Sequence, residues 1–133
     1  MSYKWDGDKV EAMFRKKVIT YLHACGNVVQ NQMVMFCHVD TGLLKNSVNY
    51  VLYNNESGKF GSSPGKNGEI KIPDESDKVS KPEKINSVRV GSGLVYAGPK
   101  EKHNNWASKG FDEVTSNAGF EQLAAKIFKG FFG

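Results

Sequence analysis

From Asp8 to about Cys37 the apolar residues recur at helical spacing: Val10, Phe14, Val18, Tyr21/Leu22, Cys25, Val28/Val29, Met33 and Phe36. A period of 3.6 held over this length predicts one long amphipathic helix. Asp8 and Glu11 give an acidic variant of the capping box at its start, and Arg15, Lys16 and Lys17 lie on the opposite face. Glycine in a helix interior costs about 1 kcal/mol against alanine, so a bend is expected near Gly26-Asn27. Such a helix is roughly 45 Å long. That exceeds what a chain of 133 residues needs for its own core, and part of the apolar face is expected to pack on another subunit.

The pattern changes at Val39-Asp40-Thr41-Gly42-Leu43-Leu44-Lys45-Asn46-Ser47-Val48. Asp40, Thr41 and Gly42 have turn chemistry: the first two side chains can bond nearby amides, and glycine tolerates positive φ. One helical turn is expected over Leu43–Asn46, followed by a strand over Ser47–Tyr53 with both faces partly buried. Residues 54–68 are rich in turn formers, Glu69-Ile70-Lys71-Ile72 alternates as a short strand, and residues 74–84 offer one core candidate, Val79. Together 54–85 reads as a hairpin extension with a mobile tip. Asn86–Gly91 and Leu94–Ala97 predict a strand with a bulge at Gly91-Ser92-Gly93. Residues 98–115 read as a polar loop anchored by Trp106 and Phe111. A closing helix is expected from about Asn117 to Phe131, with Phe120, Leu123/Ala124, Ile127/Phe128 and Phe131 on one stripe. The expected architecture is α+β: a long N-terminal and a C-terminal helix packed on a small antiparallel sheet, as one domain over 1–133.

Composition adds few constraints. A chain of this size buries enough surface to fold without disulfide or metal. Cys25 and Cys37 lie twelve residues apart in one helical pattern, too far to be bridged, and are expected as reduced, buried thiols. No run approaches the roughly 20 apolar residues of a membrane span. Met1–Asp6 lacks the apolar core of a signal peptide, so synthesis in the cytoplasm is expected. The net charge of +4 divides into +2 over residues 1–38 and +2 over residues 86–133, while 54–85 balances six Lys against six acidic residues. A nucleic-acid footprint needs a denser stripe than this.

Several residue groups invite chemistry and fall short of it. Asp40-Thr41-Gly42 is the tripeptide of aspartic proteases, whose two carboxylates share one proton; a chain with one copy would supply the pair by dimerising. The context argues otherwise, because the tripeptide follows thirty residues of helical pattern and precedes Leu43-Leu44-Lys45. His23, Cys25, Cys37, His38 and His103 lack metal-ligand spacing. A Cys25 or Cys37 thiol paired with His103 has no group to orient the base. Gly61-Ser62-Ser63-Pro64-Gly65-Lys66-Asn67 has three residues between its glycines and Asn67 where a phosphate loop carries Ser or Thr, and reads as a flexible loop. No catalytic residue, metal or cofactor is expected. Trp106, Phe111, Phe128, Phe131 and Phe132 are candidate interface anchors.

Across nearly the whole chain, the order of elements resembles the head–tail joining (tail-completion, neck) proteins of tailed bacteriophages. The resemblance rests on the Val39–Val48 block after a long helix, then Val88-Arg89-Val90-Gly91 leading to Tyr96-Ala97, then a closing helix. The block is the specific part; the later strand is less so. Asp40, Thr41, Gly42, Leu44, Ser47, Gly91, Tyr96 and Ala97 carry the match. Glu101-Lys102-His103 and Gly110-Phe111-Asp112 only approximate the Val-Glu-x-Gly-Thr turn and Pro-Phe-Leu helix entry common in that family, and the 54–85 extension is longer than expected. What the resemblance implies is a structural protein of the virion, made in the host cytoplasm, that forms a ring, commonly a hexamer, at the neck. Its implied partners are itself, neighbouring neck, connector and tail-tube or tail-terminator proteins, and viral DNA passing through the lumen without sequence-specific binding; no membrane is implied. On this reading the 54–85 extension and the 98–115 loop make inter-ring contacts, and deleting 56–84 is expected to leave the fold intact but abolish head–tail joining. The alternatives are a homodimeric retroviral-type aspartic protease using Asp40 and a generic α+β binding module.

Overall fold

A computed structural model describes residues 7–37, 42–65, 67–94 and 106–129. Helix α1 runs from Gly7 to Phe36. Its first ten residues are exposed except for half-buried Val10, and its buried face begins at Leu22 and continues through Cys25, Val29 and Met33. A short helix α2 (Leu43–Ser47) leads into strand β1 (Asn49–Leu52). Strand β2 (Val88–Gly91) lies antiparallel to β1, with Tyr50 opposite Val90 and Leu52 opposite Val88. Two helices close the chain, α3 (Trp106–Ser116) and α4 (Gly119–Ile127). The α+β architecture expected from the sequence is therefore present, with two helices where one was expected at the C-terminus.

The second half of α1 is the spine. Along one stretch Val29, Met33 and Cys37 pack with Leu44, Val48, Trp106 and Val114; a second cluster joins Leu22, Tyr50 and Leu52, flanked by Val18, Ile19 and Val88. Strand β1 is buried at all four positions. Tyr50 and Leu52 face α1, while Asn49 receives a hydrogen bond from the Val79 amide at 3.2 Å, so the segment after β1 returns to cover its second face.

Helix α1 runs unbroken through Gly26. Its role is space. A β-carbon there would lie 2.5 Å from Tyr50 Cγ, and one on Gly58 would lie 2.4 Å from Tyr50 Cε1, so the tyrosine ring sits in a slot between two glycines. The helical cost of Gly26 is offset by burial of this ring.

Helix α3 corrects the sequence reading of residues 98–115 as a loop throughout. Trp106, Gly110 and Val114 recur every fourth residue and form its buried face. The middle position is a glycine, which lets α3 approach the backbone of α1 at Met33. An apolar count misses it for that reason. The C-terminal helix is also shorter than expected: Ala118 takes a left-handed conformation (φ 54°) that separates α3 from α4, and Phe128 caps the latter. The predicted strand at Glu69–Ile72 is reduced to a single bridge between Pro64 and Ile70, and β2 ends at Gly91 without a bulge within it.

Substituting Gly26→Ala should destabilise the protein by roughly 1–3 kcal/mol through overpacking against Tyr50. Chemical denaturation of Gly26→Ala, Tyr50→Leu and the double variant checks this, and the double variant should lose less than the sum of the two single losses.

Candidate interaction surface built on a buried polar block

The described part of the motif block, Gly42–Val48, forms α2 and leads into β1, and two of its polar residues are fully buried, as is the first residue of β1. Asn46, Ser47 and Asn49 are each 0% exposed. Burial of a polar side chain is costly unless its hydrogen bonds are made. The Asn46 carboxamide makes three, all within the return segment, and both of its donor hydrogens are used. Its Nδ2 donates to the carbonyls of Ser63 (2.8 Å) and Lys71 (3.0 Å), and its Oδ1 accepts from the Ser63 amide (2.8 Å). With both backbone groups of Ser63 engaged, the side chain acts as an extra peptide unit in a ladder.

The rest of that ladder is backbone. Gly58 donates to the Tyr50 carbonyl (3.0 Å), Leu52 to Glu56 (2.7 Å) and Gly61 to Asn46 (2.9 Å), so residues 56–61 run antiparallel beside β1 and α2. Further ties come from Gln30 Nε2 to the Lys59 carbonyl (3.1 Å) and from Lys78 Nζ to Ser57 Oγ (3.0 Å). Ser47 Oγ donates to the Leu44 carbonyl (2.7 Å) and meets Ser92 Oγ at 2.6 Å, which fixes the exit from β2. The expected hairpin extension is thus folded back along the sheet. The loop from Gly61 to Gly65 is not a free loop; it is gripped by Asn46 and passes Gly42.

Gly42 belongs to the Asp-Thr-Gly tripeptide and has φ 81°, with its α-carbon facing the Gly65 backbone so closely that a β-carbon would lie 3.1 Å from that nitrogen. Leu44 is in the core beside Val48 and Trp106. Gly91 is buried, but a β-carbon there would meet only Val79 at an ordinary 3.8 Å. Asp40, Thr41, Tyr96 and Ala97 lie outside the described residues, as do Phe131 and Phe132.

The described aromatic candidates divide. Trp106 is 2% exposed and belongs to the core between α1 and α3, so it is not a surface anchor. Phe128 is half-buried against Phe14 and Tyr21, with ring centroids 6.0 Å from each, and ties the end of α4 to α1. Phe111 is 48% exposed, 6.0 Å from Phe120. Met13, Phe14, Met35, Phe36, Ile70, Ile72 and Ile85 are exposed as well, and none of them was among the expected interface anchors. Ile85 lines a groove of about 300 Å³ with Phe14, Val18 and Tyr53 along the exposed start of α1. The alternation of Ile70 and Ile72 was visible; the absence of a covering element was not.

One polar cluster links three elements. His23 Nδ1 on α1 lies 2.9 Å from the Tyr50 hydroxyl, and its Nε2 lies 3.7 Å from a Glu56 carboxylate oxygen. Burial, then the Glu56 charge, pushes the Tyr50 phenol up. Burial chiefly, with the neighbouring Cys25 and Glu121, pushes Tyr21 up to about 12; its hydroxyl also donates to the Phe120 carbonyl (3.2 Å). Burial pushes the Cys25 thiol up, partly opposed by Tyr21. These contacts tie elements together. Among the described residues, no group of three or more His, Cys, Asp or Glu could hold a metal ion, and no helix is long and apolar enough to cross a membrane.

Comparison with protein-family models, with curated proteins and with solved structures finds no match to this chain.

Removing the Asn46 side chain leaves two carbonyls and one amide of the return segment without it. Asn46→Ala should therefore cost about 2–4 kcal/mol, and limited proteolysis should cut within 59–72 before the rest of the chain. Asn46→Asp should not rescue, since it sets a carboxylate oxygen against two carbonyls. The phenols give an alkaline prediction. A folded pKa above the unfolded value of about 10 means stability is intact below pH 10 and falls as pH rises toward 12. Denaturant midpoints across that range, with tyrosinate absorbance, check the sign, and Tyr21→Phe should flatten the decline.

Proposed function

We propose that this chain is a structural protein of a tailed-phage virion, acting in a ring at the neck that completes the tail and joins it to the capsid connector. The observation that carries the reading is the use made of the Val39–Val48 block. Two of its described polar members, Asn46 and Ser47, are buried and spend their hydrogen bonds on the return segment, on Ser92 and on Leu44. A block of this kind organises a scaffold. It presents loops rather than substrates.

Further support comes from surface and shape. A thirty-residue helix whose first turns expose Met13 and Phe14 beside the Ile85 groove has more apolar face than its own domain covers. Assembly around an axis is the economical way to bury such faces. On this reading the chain is not an enzyme, its partners are further copies and neighbouring neck or tail proteins, and DNA passes the ring without tight binding.

The aspartic-protease reading finds less support. Gly42 runs directly into the helical turn Leu43–Ser47 after a thirty-residue helix, whereas a shared-proton dyad sits in loops flanked by strands. Deleting residues 56–84 would strip Asn46 and Tyr50 of their partners, so the fold is not expected to survive it and the deletion is a poor test of the neck role.

Electron microscopy of the purified protein should reveal rings, and antibody labelling should place it at the neck of the virion. Asp40→Asn should assemble and complete particles like the parent chain. A protein that remains monomeric at high concentration by light scattering and is missing from particles overturns the reading.

A further inference from the structure

We infer that the segment Glu69-Ile70-Lys71-Ile72 is a self-complementary strand edge that pairs antiparallel with the same segment of a second copy, centred on Ile70. The segment lies within the 54–85 extension and is distinct from the apolar groove beside Ile85 on α1; the pairing does not rest on the neck assignment.

The segment is held in a fixed, extended form by its inner side. Gly65 donates to the Glu69 carbonyl at 2.9 Å, the Lys71 carbonyl accepts from Asn46 Nδ2 at 3.0 Å, and Pro64 and Ile70 form an antiparallel bridge. In an antiparallel ladder the bonding direction alternates from residue to residue. Because Glu69 and Lys71 bond inward, the N–H and C=O of Ile70 and Ile72 point away from the protein. Among the described residues no hydrogen bond engages them. The side chains on this edge are apolar and open, Ile70 at 53% and Ile72 at 60% exposure. A rigid edge with β-branched residues facing water is a template for another strand.

The charges select the occupant. If two copies pair about Ile70, each Glu69 stands opposite the partner's Lys71, giving two opposite-charge cross-strand pairs by symmetry. Each Ile72 then approaches the partner's Gly68, the positive-φ end of the turn, where apart from its chain neighbours no atom lies within 4 Å of a β-carbon position. Shifting the centre to Lys71 would set two lysines opposite each other. The strip is short, so the association is weak by itself and suited to joining subunits already held nearby.

The test is cross-linking of the full chain. Cα atoms of a hydrogen-bonded antiparallel pair lie about 5.5 Å apart, within disulfide reach. Ile70→Cys, oxidised by air with copper–phenanthroline, should form a covalent dimer at least about tenfold faster than the exposed control Ser76→Cys; both native cysteines are buried. Adding Glu69→Lys to Ile70→Cys should slow the reaction several-fold, and adding Lys71→Glu as well should restore it. Far-UV circular dichroism of each variant confirms that it is folded. Equal rates for Ile70→Cys and Ser76→Cys overturn the proposal, as does failure of the charge reversal to restore the rate. Rings seen by microscopy with no Ile70 cross-link would sink this contact and leave the neck reading standing.

Discussion

The buried carboxamide of Asn46 is the interaction on which most of the structure depends. Two-stranded sheets are marginal in water unless something covers them. Here α1 covers one face of β1, and the returning chain covers the other, but that chain has few apolar residues to hold it. Residues 56–71 contain a single aromatic, Phe60, and are dominated by polar and turn-forming residues. What fixes them is a side chain that imitates a peptide group, placed at the one point where α2 ends and β1 is about to begin. Satisfied in full, such a group specifies one register; missing one partner, it would cost more than it gives.

Ser47 and Asn49 add further ties, although the buried Asn49 Nδ2 has no hydrogen-bond partner among the described residues. Three polar residues within four positions of the chain reach three different parts of the return path: Ser63 and Lys71, Ser92, and Val79. The block behaves as a hub, with apolar Leu44 and Val48 rooted in the core between them. This is a physical reason for a motif in which hydrophobic and small polar positions alternate so tightly. Neither a nucleophile nor a metal is needed to explain it.

How much of this was legible beforehand depended on which force held each element. The long helix α1 was plain, because its apolar stripe repeats for thirty residues. The two paired strands were located to within a few residues, whereas the strand expected at Glu69–Ile72 is a single bridge. Helix α3 was hidden: its buried stripe runs Trp106, Gly110, Val114, and glycine registers as a breaker in a pattern search although its lack of a side chain is what permits the contact with Met33. That error also made a core tryptophan look like a surface anchor. The return segment was the larger miss. Its fixation comes from donors and acceptors on Asn46, Gln30 and Lys78 that are distant in sequence, and hydrogen-bond partners leave no periodic trace. The exposed Ile70 and Ile72 could be seen to alternate, but whether a face is covered is decided by tertiary structure alone.

The slot around Tyr50 carries a consequence for sequence variation. Gly26, Tyr50 and Gly58 come from a helix, a strand and a returning loop, yet they share one fixed volume. A larger residue at 26 or 58 is admissible only with a thinner one at 50, so the three positions are expected to change as a set. Among diverged copies of this chain, that correlated exchange would mark the fold even where the Asp-Thr-Gly block has been lost.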